Sequence, residues 1–380
     1  MKKILALLAA SMGVAACIYP YDPELDEAPE GVLAVDGNIC IGGTSTVYLS
    51  SLLSLWNVDS GNRWMDVSSA RVWVEDDAGN KYEGTSRYPY PYFTISTENA
   101  PLDRSYRLCI EALGETYASD WNGTVEPPVI GDIEFVADDN EVTVEVSVDG
   151  GKDGTGYILL TYEEAWMFHV DYYPRYTVRG AFIMEGPVDM SKYWCWRTTT
   201  TNRTVPVDYT GRTETGFTGF PLMSFSRRDT RNHRRYCISV MASTISKETY
   251  RFLRNLDENT DGGDNLFTPN PGEIAGNLRC ESNPDKTVLG YALFSRAVKK
   301  RAYLDSRYYI SVPKTPLFYP LADQDQYGLL LEAGYLPLEE NEKGYDPTQE
   351  GPYGWGDRNC YDCTWSGGTL KKPDYWSETE

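Results

Sequence analysis

The chain has 380 residues, 41% hydrophobic and 13% aromatic, enough apolar material for two or three folded domains. Its formal net charge of −21 argues against wrapping nucleic acid or lying on anionic lipid, because both need a basic surface. Two histidines against 29 tyrosines argue against imidazole catalysis or a His-rich metal site, and for a β-rich, exported chain.

Residues 1–16 read as an export signal. Lys2 and Lys3 form a positive start, and the eleven residues from Ile4 to Val14 are too few to span a bilayer. Val14-Ala15-Ala16-Cys17 has the form of a bacterial lipobox. Cleavage before Cys17, followed by acylation of its thiol and new amino terminus, would anchor the chain in outer-membrane lipid. Each buried methylene contributes roughly 0.8 kcal/mol to that anchor. Loss of Lys2 and Lys3 would take the net charge from −21 to −23. Residues 17–30 place Asp22, Glu24, Asp26 and Glu27 among Pro20, Pro23 and Pro29, the composition of an extended, solvated tether.

The expected fold class is mainly β, with two consecutive sandwiches and an irregular tail. Residues 31–126 hold short alternating runs such as "ARVWVEDDAGNKYEG", separated by Gly, Asp and Asn turns, which suit an immunoglobulin-like sandwich. Pro127-Pro128 marks the joint, since neither residue can donate to a sheet. The second sandwich, fibronectin type III-like, is expected over 127–311. It opens with "EVTVEVSVDG", whose Val142, Val144, Val146 and Val148 share one face. A helix is predicted near 246–257, with Ser246 as N-cap, Ile245 and Tyr250 as a hydrophobic staple, and Leu253 and Leu256 on the same face as Tyr250. Residues 312–380 form a Tyr- and Pro-rich tail containing "CYDC".

Beyond Cys17 the chain carries Cys40, Cys109, Cys195, Cys237, Cys280, Cys360 and Cys363. Seven is odd, so at most three bridges form in an oxidising compartment. Alternation turns Cys40 and Cys109 away from the core, and the two are expected to bridge across neighbouring strands. The Cys360/Cys363 spacing could serve a redox dithiol or half a zinc site. A bridge from one of them back to Cys280 or Cys195, pinning the tail, accounts for it better.

Three further patterns carry chemistry. Asp257, Asn259, Asp261 and Gly262 match the first half of a calcium loop, but Thr268 stands where the bidentate carboxylate belongs, so a solvated turn is expected. Arg227, Arg228, Arg231, Arg234 and Arg235 could form an anion patch, or a solvated hairpin that balances nearby carboxylates. Trp166, Tyr172, Tyr173, Trp194 and Trp196 could stack on a glycan or small molecule, or dock a partner. Aromatic residues of this kind are also ordinary sheet residues. There is no G-x-S-x-G, and His169 and His233 lie outside any nucleophile motif.

"GVLAVDGNI", "ISKETYRFLRNL", "LFTPNPGEIAGNL", "NPDKTVLGYALFS", "CYDCTWSGGTLKKPDYW" and the Cys195-Trp196 pair together resemble the Bacteroidota lipoproteins grouped as domain of unknown function 4249. The resemblance runs through nearly the whole chain after Cys17. It implies a surface lipoprotein with an immunoglobulin-like N-terminal domain, often encoded beside TonB-dependent outer-membrane transporters, and a non-catalytic accessory or binding role beside such a transporter is expected. The acidic run after Cys17 is similar to the signal that carries such lipoproteins to the cell exterior. The family supplies no catalytic residues, and neither enzyme activity, a cofactor nor a metal is expected. Independent glycan binding at the cell surface is the alternative.

Overall fold

The computed structural model describes residues 32–51, 67, 69–86, 91–150, 155–180, 182–200, 204–211, 215–261, 276–321, 326–341 and 348–377, with 258–261 described by backbone alone. The expected signal, Cys17 and the acidic tether lie outside the described residues. No described helix is long and apolar enough to cross a membrane.

The first sandwich is one rolled ladder. Its strands run in the order Leu278–Cys280, Glu115–Ser119, Ser105–Ala112, Arg71–Asp76, Lys81–Ser86, Tyr92–Ser96, Thr44–Ser51, Leu33–Cys40 and Val288–Ser295. Lys81–Ser86 pairs with both halves and carries the roll from one layer to the other. The layers meet closely: a Cβ built on Gly37 would lie 3.2 Å from Leu108 Cδ2. Leu33, Val35, Ile39, Leu49, Ile95 and Leu108 fill the space between them.

Here the boundary differs from the sequence reading. Val288–Ser295 was expected in the second sandwich, yet it pairs in parallel with Leu33–Cys40, and Leu278–Cys280 extends the other layer. A parallel partner distant in sequence leaves no local turn signal to read. Gly290 makes this closure feasible, because it has φ +99° and a Cβ there would stand 1.8 Å from the Val35 carbonyl oxygen.

The second sandwich sets a three-stranded sheet (Val129–Ala137, Glu141–Asp149, Gly216–Ser226) against a larger one. The larger sheet orders Trp194–Thr200, Tyr157–His169, Arg235–Thr244 and Ala297–Asp305, with Val205–Asp208 also on Tyr157–His169. This is a fibronectin type III-like sandwich. Val142, Val144, Val146 and Val148 are all buried on the inner face. At 1.5–3 kcal/mol per side chain, they contribute roughly 6–12 kcal/mol of apolar burial.

Helix Lys247–Asp261 starts as predicted. Ser246 Oγ accepts from Thr249 N at 3.1 Å. Leu253 and Tyr250 pack with Ile245, Tyr157 and Leu159 of the second sandwich and Leu293 of the first, so the helix side seals the joint. Leu256, expected on that stripe, is exposed instead. The helix also runs past residue 257 to Asp261. Asp257, Asn259 and Asp261 therefore stand on a helix rather than in an ion-binding loop, and Gly262 and Thr268 lie outside the described residues.

The tail is more ordered than its composition suggests. Leu336–Glu340 pairs with Tyr353–Gly356, followed by the short helix Arg358–Tyr361. Leu317, Leu336, Leu338 and Cys360 pack on Tyr172 of the second sandwich. Further on, Trp376 is buried over Ala165 and Cys237 on the outer face of the larger sheet.

Candidate functional site at the stapled end of the second sandwich

Strand Tyr157–His169 sets the long axis of the second sandwich. Its 13 residues span roughly 40 Å at about 3.3 Å per residue. Tyr157 meets the helix and the first sandwich. His169, at the other end, meets the 170–193 excursion, the 227–234 turn and the tail.

A disulfide holds this end together. Cys195 and Cys363 are joined, with Cα atoms 5.7 Å apart and a sequence separation of 168. Trp196 and Thr369 exchange backbone hydrogen bonds of 2.8 Å in both directions. Tyr172 N donates to Cys360 O, Cys363 N donates to Lys192 O, and Lys192 Nζ reaches Asp362 at 2.6 Å.

The other cysteines among the described residues are free thiols: Cys40, Cys109, Cys237, Cys280 and Cys360. The expected Cys40–Cys109 bridge is absent. Both residues point away from the core, but Leu33–Cys40 and Ser105–Ala112 belong to opposite layers and are not neighbours in the ladder. Cys109 is covered by Trp73 and Ala118, and burial raises its thiol pKa to about 12. Cys360 is likewise raised by burial, to about 11, and donates to Asp357 Oδ1 at 3.6 Å. A reactive dithiol needs the opposite shift. With Cys363 already bridged, "CYDC" is structural. Cys280 sits in the first sandwich's core and Cys237 under Trp376. Among the described residues no group of three or more His, Cys, Asp or Glu side chains could hold a metal ion.

Both histidines meet at this end. Their rings stack 4.3 Å apart, His169 also stacks on Tyr193 at 5.2 Å, and Trp194 presents its edge to His169. Tyr309 closes on His233, and Tyr173 on Tyr193. His169 N donates to His233 Nδ1 at 3.4 Å, and His169 Nδ1 lies 2.8 Å from Val170 O. Burial, with His169 adding to it, lowers the His233 pKa to about 4. A neutral His233 that accepts a backbone hydrogen bond is a structural histidine. Neither ring is paired with a carboxylate as an acid–base dyad would require. The nearby Asp171 instead accepts from Thr315 N and Oγ1.

The arginine run does not converge on one patch. Arg227 donates to the Tyr308 and Asp138 carbonyls. Arg231 is clamped between Glu164, at 2.7 Å, and Asp229, at 3.0 Å. Arg235 pairs with Asp305 at 2.9 Å and lies over the Tyr303 ring. Only Arg228 and Arg234 of the five are exposed. Carboxylates and carbonyls of the chain hold Arg227 and Arg231, and Arg235 is buried on Asp305 with its Nε and Nη2 unpartnered, so the five do not form one exposed anion patch.

The predicted aromatic set also divides. Trp166 is buried, donates to Thr230 Oγ1 and carries Arg197 and Arg231 over its ring. Tyr172 is buried beneath the tail, with its hydroxyl on Thr315 O. These two are core residues and are withdrawn as binding residues. Tyr173, Trp194 and Trp196 are partly exposed around the histidines and Met167.

Exposed apolar side chains also lie outside the aromatic clusters singled out in the sequence. Strands Tyr176–Arg179 and Phe182–Glu185 form a hairpin. The second strand then continues along the first, with Gly186 N donating to Arg175 O and Asp189 N to Pro174 O. Phe182 is 66% exposed, and Met184, Val188 and Met190 are exposed further along the same excursion. The apolar run "AFIM" was a visible signal, but only the fold shows that nothing within the described residues covers it.

Among solved structures the chain is similar to a two fibronectin type-III domain segment from chicken tenascin. That likeness has 12% identity, covers 56% of this chain and 91% of that one, and has a TM-score of 0.18. None of the curated proteins matches the sequence. A family model matches residues 18–301, and on that match the chain belongs to the family described as domain of unknown function DUF4249.

Proposed function

We propose that this protein is an outer-membrane, surface-facing lipoprotein, anchored through Cys17, that acts as a non-catalytic accessory or binding partner of a TonB-dependent transporter. What supports the reading is the series of exposed apolar side chains along one excursion, Phe182, Met184, Val188 and Met190, held on a disulfide-stapled end. An apolar group of this kind on an extended excursion is what a protein interface uses as its core. The staple and tail keep the surrounding elements ordered before docking, which reduces the entropy lost on association. It stands at the end of the second sandwich away from the first, where the chain to Cys17 begins. A lipid-tethered protein would thus present it outward from the anchor.

The alternative, an independent glycan binder, has less support at this end. Its aromatic rings stack on one another and on the histidines, and Trp166 and Tyr172 are buried. The test is native detergent extraction through a C-terminal tag, comparing the parent with Phe182→Ser/Met184→Ser. We expect the parent to bring down an outer-membrane transporter and the variant to lose it without a change in melting temperature. Recovery of the parent alone, under conditions that preserve other transporter–lipoprotein pairs, would refute the accessory reading.

A further inference from the structure

The outer face of the first sandwich, remote from the stapled end, carries a cavity of about 500 Å³. It arises from one rung of the ladder. Asp36 stands opposite Tyr48, and Tyr48 opposite Tyr92. Two residues along, the facing pair is only Ala34 and Ser50. The two rings therefore rise beside a floor of small side chains, and Pro91 and Gly290 complete the wall. The rings lie 4.6 Å apart, tilted by 48°, and Tyr48 is 54% exposed.

Asp36 is exposed at this cavity, yet its pKa is raised by desolvation alone. Among the described residues it has neither a hydrogen bond nor an ion pair, and no Lys or Arg lines the cavity. An exposed carboxylate beside apolar walls, with no counter-charge among the described residues, is partly stripped of water and free to pair with a cation from outside the chain. The two tyrosines that line the cavity beside this carboxylate restrict the type of ligand it suits. Aromatic faces attract cations, and the apolar surroundings strengthen both attractions relative to water. A neutral ligand would gain nothing from the charge of Asp36, and an anion would be repelled.

We propose that the cavity binds an ammonium group, held by the faces of Tyr48 and Tyr92 and by the carboxylate of Asp36. The volume suits a small molecule. The same chemistry also fits a lysine side chain presented by a partner, and the probes below separate the two.

The experiment titrates the full chain by calorimetry with choline, with its neutral carbon isostere 3,3-dimethylbutan-1-ol and with N-acetyl-lysinamide. We expect an ammonium probe to bind at least about tenfold more tightly than the isostere, a difference of about 1.4 kcal/mol. Tighter binding of choline assigns a free small cation, and tighter binding of the lysine derivative assigns a presented side chain. Asp36→Asn should abolish the preference for charge, and Tyr48→Ala should weaken both ammonium probes. Both side chains are exposed, so neither substitution should change the melting temperature. Binding of both ammonium probes no tighter than the isostere, unchanged ammonium affinity in Asp36→Asn, or no binding of either ammonium up to about 10 mM overturns the proposal.

Discussion

Removing the staple by Cys195→Ala/Cys363→Ala should loosen the tail and the far end of the second sandwich. The bridge spans 168 residues in sequence. The chain-entropy relation for a loop of that length gives about 17 cal/mol/K, or about 5 kcal/mol at 25 °C. In a unit of this size each kcal/mol is worth about 2–4 °C, so the second sandwich should melt about 10–20 °C lower. Tail contacts to Tyr172 through Leu338 and Cys360, and the burial of Trp376, remain but must then act without covalent closure. The assay is scanning calorimetry of the parent, the reduced parent and the variant, with limited proteolysis mapped by mass spectrometry. First cuts are expected beyond Ser311, with the first sandwich left intact. The reasoning fails if the variant melts within about 3 °C of the parent and its tail resists protease. Packing alone would then hold the tail.

Two further outcomes follow from buried polar groups. Glu164, with its side chain only 5% exposed, accepts from Arg231 Nε at 2.7 Å and from the Tyr236 hydroxyl at 2.9 Å. Glu164→Ala leaves Arg231 without its main counter-charge and should cost about 3–5 kcal/mol, read as a fall in the urea midpoint; a change below about 1 kcal/mol would show that Asp229 suffices. His233 has its pKa lowered to about 4 from the usual 6.5 by burial and His169. The unfolded chain therefore takes up this proton first, so the stability tied to a neutral His233 is full above about pH 6.5 and lost as pH falls toward about 4. Discounted for solvent screening, that loss is on the order of 1–2 kcal/mol. His233→Gln should flatten the decline between these limits, and an identical pH profile would place the acid sensitivity elsewhere.

Much of the secondary structure was legible because it depends on neighbours along the chain. Alternation alone determined that Glu141–Asp149 turns four valines to one side, and the fold buries all four. Capping chemistry alone placed the start of helix Lys247–Asp261 at Ser246, because the N-cap bond to Thr249 N is local. The helix end was not legible, since the polar "DENTD" reads equally well as a turn. Cysteine pairing was legible only in part. Alternation assigns a thiol to a face of a sheet, but not to a neighbour, so it turned Cys40 and Cys109 outward correctly and still suggested a bridge between opposite layers.

Only the tertiary structure decided what depends on partners remote in sequence. Val288–Ser295 returns to pair with Leu33–Cys40 because that layer offered an open edge and Gly290 allows the approach. Trp166 and Phe182 are both aromatic residues in strands, yet one is 4% exposed and the other 66%. Composition could not separate them, because burial is set by what packs across a layer. The same holds for Asp36, Tyr48 and Tyr92. Three strands brought into register place a carboxylate beside two rings, and the sequence, which lists them far apart, carries no sign that they meet.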